Sequence, residues 1–216
     1  MDKSPIIRNS AGKIILTTCL LSIGYAILRY HIAGPVPWKD FPFYILNKGI
    51  ALSAFILLTF NFSFGPLKNL RVNVPEGLLA ARKALGMTGF LLVLIHALIS
   101  FLLFKPEIYS QFFLQNGTLT LLGGLSMLGG VLAFVVLWGY NLSFQTHLRE
   151  DDRFIRFITS RKFLLSAMLL SLMHLFFMGF KGWIVPAGWH GGLPPISLIS
   201  FVFFLIAYVI NLLGRK

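Results

Sequence analysis

Six stretches of this chain are each long and apolar enough to cross a bilayer, and that leaves few ways for it to fold. They cover roughly 14–30, 43–64, 85–104, 119–144, 163–183 and 196–213. A span needs about 20 mostly apolar residues, because each helical residue adds about 1.5 Å to roughly 30 Å of hydrocarbon. Turn-like residues separate the stretches: Gly34-Pro35-Val36-Pro37, Gly65-Pro66, Lys105-Pro106 and Gly191-Gly192-Leu193-Pro194-Pro195. Lipid offers the backbone no hydrogen-bond partner, and the runs are too long and too uniformly apolar for barrel strands. The spans are therefore expected to be helices of an all-α, integral membrane six-helix bundle. Composition agrees. Of the 216 residues, 56% are hydrophobic and only 12% charged, against about 25% charged in a soluble domain. A soluble, disordered or collagen-like chain is excluded. The lone cysteine, Cys19, excludes a disulfide framework, an iron–sulfur cluster and a thiolate zinc site. The net charge of +12 points to anionic membrane lipid and cytoplasmic loops, with no nucleic acid as partner.

Orientation follows from the basic residues. Lys3, Arg8 and Lys13 before the first apolar run resemble a secretory leader, but five more spans follow, so this run is expected to be an uncleaved first helix. With the N-terminus inside, 14 of the 19 Lys and Arg residues fall on the inner side: Lys3, Arg8, Lys13, Lys68, Arg71, Arg82, Lys83, Arg149, Arg153, Arg156, Arg161, Lys162, Arg215 and Lys216. Arg29, Lys39, Lys48, Lys105 and Lys181 remain outside. Both termini are thus expected in the cytoplasm. The whole chain, 1–216, is expected to form one transmembrane domain. The largest cytoplasmic loop, 145–162, is too short for a nucleotide-binding fold. There is no internal repeat, Walker loop, GxGxxG motif or Ser-His-Asp set.

Ionisable groups within spans are costly and mark chemistry. Of five histidines, His96 lies in the third stretch and His174 in the fifth, while His31, His147 and His190 lie at span ends or in loops. His96 follows Leu85 by 11 residues and His174 follows Phe163 by 11. At about 1.5 Å per residue both imidazoles sit roughly 16–17 Å from the inner edge. Two histidines at one depth on parallel helices suit the axial positions of a single haem iron, in a cytochrome b-like bundle. Zinc would need two further ligands, and no Cys, Asp or Glu lies at that depth. Copper is less favoured, although Met168, Met173 and Met178 lie nearby. The plainer alternative is that each histidine hydrogen-bonds a neighbouring helix. Gly86, Gly89, Ala97, Gly123, Gly124, Gly129 and Gly130 either leave room for a flat macrocycle or let helices approach closely.

Haem propionates need cations or water. Lys181, seven residues beyond His174, Lys48 in the second span and Arg29 near the end of the first are candidate partners; snorkelling to the headgroups is the alternative for each. His190 either touches a redox partner or is an ordinary loop histidine. Arg149, Arg153, Arg156 and Arg161, beside Glu150, Asp151 and Asp152, form a basic face for a flavin phosphate or an acidic reductase, or an inner-side anchor.

The run Pro66-Leu67-Lys68, with Ala81-Arg82-Lys83-Ala84-Leu85-Gly86-Met87-Thr88-Gly89-Phe90 leading to His96, resembles the ferric reductase-like transmembrane family. The six spans and the lack of a dehydrogenase domain are most similar to its short branch, which includes the haem-binding membrane subunit of a bacterial methionine-sulfoxide reductase system. The resemblance covers roughly 43–183. It implies that the outer haem pair falls on His96 and His174. The inner positions of the family fall on Arg161 and near Arg82, which implies one haem b and a second carrier, FMN or another flavin, or a quinol. It further implies a bacterial inner-membrane protein. Electrons would come from quinol or a cytoplasmic flavin reductase and pass to a periplasmic reductase partner or a ferric chelate. A rival reading is a non-redox small transporter or assembly factor that uses Asn47 and Lys48, with His96 and His174 as packing residues.

Overall fold

The computed structural model describes residues 4–142 and 152–214. Its helices are α1 (Ser4–Ile27), α2 (Leu46–Asn69), α3 (Glu76–Leu103), α4 (Leu121–Leu142), α5 (Asp152–Ile158), α6 (Arg161–Trp183) and α7 (Ile196–Leu213). π-helical turns at Leu28–Ile32 and Phe41–Ile45 extend α1 and lead into α2. Among the described residues there is no strand, only one bridge between Phe113 and Leu119. Among the described residues, six helical segments are long and apolar enough to cross a membrane: Ser10–Ile32, Trp38–Asn69, Glu76–Leu103, Leu121–Leu142, Arg161–Trp183 and His190–Leu213. This is the architecture of a multi-pass membrane protein. Large apolar side chains such as Leu21, Ile32, Leu98, Phe101 and Leu121 are exposed, as a lipid-facing surface requires.

Three boundaries differ from the sequence expectation; α1 begins at Ser4, not near residue 14. The third helix begins at Glu76, not near residue 85, because the helical backbone continues past the point where Arg82 and Lys83 end the apolar run. Gly65-Pro66 is not a turn. Pro66 lies inside α2, which continues to Asn69. Proline has no N–H, so its helix should lose the bond to the Phe62 carbonyl. That carbonyl instead accepts a hydrogen bond from Asn211 Nδ2 of α7 at 3.1 Å. One residue earlier, the Asn61 carbonyl accepts from Arg82 Nε of α3 at 3.0 Å. Partners from two other helices thus serve the carbonyls around the proline, and the helix runs on. It closes with Arg71 in the left-handed region at φ 62°. The expected end of the fourth span at 144 lies outside the described residues. So do residues 145–151 of the 145–162 loop; the rest of it is α5, the turn that follows and the start of α6.

The helices pack as two compact units, one up to Leu103 and from Lys181, the other Phe104–Phe180. In the first unit, Ala11, Leu57, Ala81 and Leu85 form one core cluster and Ala26, Ile45, Leu52 and Ile196 another. Close helix approach depends on glycine. A Cβ on Gly49 would meet Ile23 at 2.9 Å, and one on Gly86 would meet the Asn61 amide at 2.8 Å. In the second unit, Phe104, Tyr109, Phe112 and Phe113 form an aromatic cluster ahead of α4. Thr120 Oγ1 caps α4 by accepting the Gly123 N–H at 3.1 Å.

Candidate functional site

In the first unit His96 of α3 is held by α2. Its Nδ1 lies 2.8 Å from Asn47 Oδ1. The Asn47 amide donates through Nδ2 to Ser100 Oγ at 3.0 Å, so Oδ1 is the acceptor and the imidazole N–H is on Nδ1. Ser100, one turn beyond His96, also lies 3.3 Å from Nδ1. Asn47 is only 1% exposed. A buried amide with both ends used is a fixed, costly feature of an apolar helix pair.

In the second unit His174 of α6 is held by α4. Its Nδ1 lies 2.8 Å from the Ser126 backbone oxygen, which can only accept, so the N–H is again on Nδ1. Ser126 Oγ donates to the His174 carbonyl at 3.3 Å and lies 3.3 Å from Nδ1. Two glycines make this approach possible. A Cβ on Gly130 would stand 2.8 Å from Nδ1, and one on Gly129 would stand 3.1 Å from the His174 backbone nitrogen.

Both imidazoles therefore have the same tautomer, fixed by an oxygen on a neighbouring helix. An N–H committed at Nδ1 leaves Nε2 as the basic nitrogen, the usual arrangement of a metal-ligating histidine. Among the described residues no three His, Cys, Asp or Glu side chains converge on a metal-sized site. The donors that are present fit a metal whose equatorial ligands come from a macrocycle, since that metal asks only imidazole nitrogen of the protein.

The glycines expected to leave space for a macrocycle are mostly filled by protein. Gly86 meets Asn61, Gly89 meets Leu58, Gly123 meets the Phe112 carbonyl, and Gly129 and Gly130 meet His174; only Gly124 has open space over it. Their use is close helix packing. Arg29 does not snorkel. It is 5% exposed, and Nη1 donates to the Leu193 carbonyl. Beside it, Tyr25 donates to the Pro194 carbonyl at 2.6 Å, so these bonds hold the segment before α7 against the end of α1. Arg29 lies over the Tyr30 ring at 5.3 Å, Tyr30 meets Tyr44 edge-on at 5.8 Å, and Lys48 Nζ lies 5.2 Å from the Tyr44 ring. Lys48 is half-buried and Lys181 exposed.

His190 is half-buried, its ring 3.2 Å from where a Cβ on Gly34 would be. His31 Nδ1 lies 2.9 Å from the Val36 carbonyl. Arg153, Arg156 and Arg161 are exposed, whereas His147, Arg149, Glu150 and Asp151 lie outside the described residues, as does the Asp152 side chain. Sequence reasoning missed Ser100 and Ser126. Ser100 carried a signal, a polar side chain four residues after His96 in an apolar run. Ser126 acts mainly through its backbone oxygen, which no side-chain pattern reveals.

No model of a known protein family and no curated protein matches this chain.

Proposed function

We propose that the chain is a membrane electron-transfer protein of the ferric reductase-like kind that holds one haem b, with His96 and His174 as axial ligands. The observation that carries the reading is the shared tautomer: two intramembrane histidines, each with Nδ1–H given to a neighbouring oxygen and Nε2 left as the basic nitrogen. The matched spacing of the two histidines from the start of their apolar runs and the motif leading to His96 also support it.

A bound haem would supply a one-electron couple; the chain supplies placement and dielectric. Asn47 and the Ser126 carbonyl orient the rings and raise their basicity. The apolar surroundings exclude water. Arg29, Lys48 and Lys181 are the cations for the propionates. Among them Arg29 is the best prepared, since its guanidinium is already desolvated and oriented by Leu193. Both termini face the cytoplasm of a bacterial inner membrane. Electrons enter from quinol or a cytoplasmic flavin reductase, with FMN or another flavin as the second carrier. They leave to a periplasmic reductase partner, such as a methionine-sulfoxide reductase, or to a ferric chelate.

The same hydrogen bonds favour one second reading. Asn47–His96 ties α2 to α3 and Ser126–His174 ties α4 to α6, which is what histidines acting only as helix glue in a non-redox transporter or assembly factor would do. A dithionite-reduced minus oxidised spectrum of the purified protein separates the two. Electron transfer requires Soret and alpha bands, with the low-spin alpha band lost in His96→Ala and in His174→Ala. A colourless protein that refuses added haemin sinks the proposal and leaves the glue reading.

A further inference from the structure

Among the described residues, five buried side-chain atoms have no hydrogen-bond partner in the protein: Ser22 Oγ, Arg29 Nε, Thr59 Oγ1, Ser63 Oγ and Ser200 Oγ. They are not scattered. Leu52, Ile56, Thr59 and Ser63 recur along α2 at spacings of four, three and four, which places them on one stripe. Ser22 and Ala26 form such a stripe on α1, with Arg29 in the π-helical turn that extends it, and Ile196 and Ser200 begin one on α7. The three stripes meet, because Ala26, Leu52 and Ile196 belong to one buried cluster with Ile45. All five orphaned atoms therefore line the seam where α1, α2 and α7 converge, in the first unit. A buried serine in a helix ordinarily folds back onto the carbonyl four residues earlier. Ser53 does this with Gly49 at 2.9 Å and Ser171 with Ala167 at 2.8 Å. The four seam hydroxyls make no such bond.

We propose that this seam binds a single file of internal water that runs from Ser63 past Thr59 to Ser200 and Ser22. The ligand is water and not an ion or a lipid tail. The orphaned atoms along it are neutral hydroxyls, which both donate and accept as water requires, lack the charge an ion needs, and would stay unsatisfied against a lipid tail. One turn of α2 separates Ser63 from Thr59, a rise of about 6 Å, which one or two waters bridge. At the far end the file stops at Ala26, Ile45, Leu52 and Ile196, all at most 3% exposed. Beyond this apolar plug stands the Arg29 guanidinium, whose charge opposes a proton. The seam is thus a half-channel that admits protons from the Ser63 end to mid-bundle and no further. Each hop transfers one proton onto a water oxygen and releases another onward, and no bond of the protein is broken. The inference does not depend on haem.

Water-edited solid-state NMR on the labelled full chain in liposomes tests it. Polarisation from water should reach Ser22, Thr59, Ser63 and Ser200 several-fold sooner than Ser53, which is equally buried but bonded to its own helix. In Thr59→Val, which keeps the shape of the side chain, transfer to Ser63 should stay fast while transfer to Ser22 and Ser200 slows to the Ser53 rate. Build-up at all four wild-type hydroxyls as slow as at Ser53 overturns the proposal. So does fast transfer to Ser22 and Ser200 in the valine variant.

Discussion

The two candidate ligands are supported by different means. His96 is oriented by a side chain, the buried Asn47 amide, which is itself fixed by Ser100. His174 is oriented by a backbone carbonyl, which Gly129 and Gly130 make reachable. A side chain can be removed or changed in chemistry by one substitution; a carbonyl can only be blocked. The α2–α3 support is therefore tunable, while the α4–α6 support is either present or absent. If both serve one iron, substitutions in the two units should grade differently.

The largest effect belongs to the imidazoles themselves. His96→Ala and His174→Ala should each abolish the low-spin alpha band, because one remaining imidazole cannot keep a six-coordinate low-spin centre. A variant that retains the wild-type alpha band would break the claim that its histidine is a ligand. Next is Gly130→Ala. The new Cβ would stand 2.8 Å from His174 Nδ1, so the ring must leave the Ser126 carbonyl. Losing an oriented outer partner costs about 10–100-fold in affinity. Haemin titration should show a loss of that order. Gly89→Ala is the matched control in the other unit, since its Cβ would meet the Leu58 side chain at 3.0 Å and Leu57 Cβ at 3.4 Å, and no part of His96. It should lower the melting temperature while haem affinity stays within a few-fold of wild type.

The sequence made some of this legible and hid the rest for identifiable reasons. The six spans were readable because lipid demands about 20 apolar residues wherever a helix crosses. The start of α3 was not, because nothing obliges a helix to stop where the lipid does. Gly65-Pro66 has the sequence of a turn, because the groups that serve the Phe62 and Asn61 carbonyls, on Asn211 and Arg82, lie 149 and 21 residues from them along the chain. His96 and His174 stood out as polar groups in apolar runs. Their supports were harder to see. Asn47 looked like a transport residue, and Ser126 contributes a carbonyl that every residue has. Arg29, a candidate propionate partner with snorkelling to the headgroups as its alternative, is buried because carbonyls just before α7 hold it and Tyr25 in place.

Asn47 sharpens the comparison further. Asn47→Leu removes the acceptor and leaves the His96 N–H buried without it, at a cost of about 1–3 kcal/mol, read as a lower melting temperature in detergent. Haem affinity should fall within the same 10–100-fold range as for Gly130→Ala. Asn47→Asp should keep the haem. A carboxylate facing Nδ1–H makes the imidazole a stronger donor and stabilises the oxidised iron, so the reduction potential should fall in a redox titration. A purely structural asparagine would lose stability in both variants and leave the potential unmoved.

The smallest effect should come from Ser126→Ala, and its smallness is informative. The substitution deletes Oγ, which donates to the His174 carbonyl at 3.3 Å, yet leaves the backbone oxygen that orients the ring at 2.8 Å. Hydrogen bonds between membrane helices average about 0.6 kcal/mol, so stability should drop by no more than about that amount, with alpha band and potential unchanged. The equivalent deletion on the other side, at Asn47, should change both. If Ser126→Ala instead shifts the potential as much as Asn47→Asp, the hydroxyl and not the carbonyl is the true partner of His174 Nδ1. The Nδ1–H would then be given to the hydroxyl oxygen, which can accept it as the carbonyl does, and Nε2 would remain the basic nitrogen.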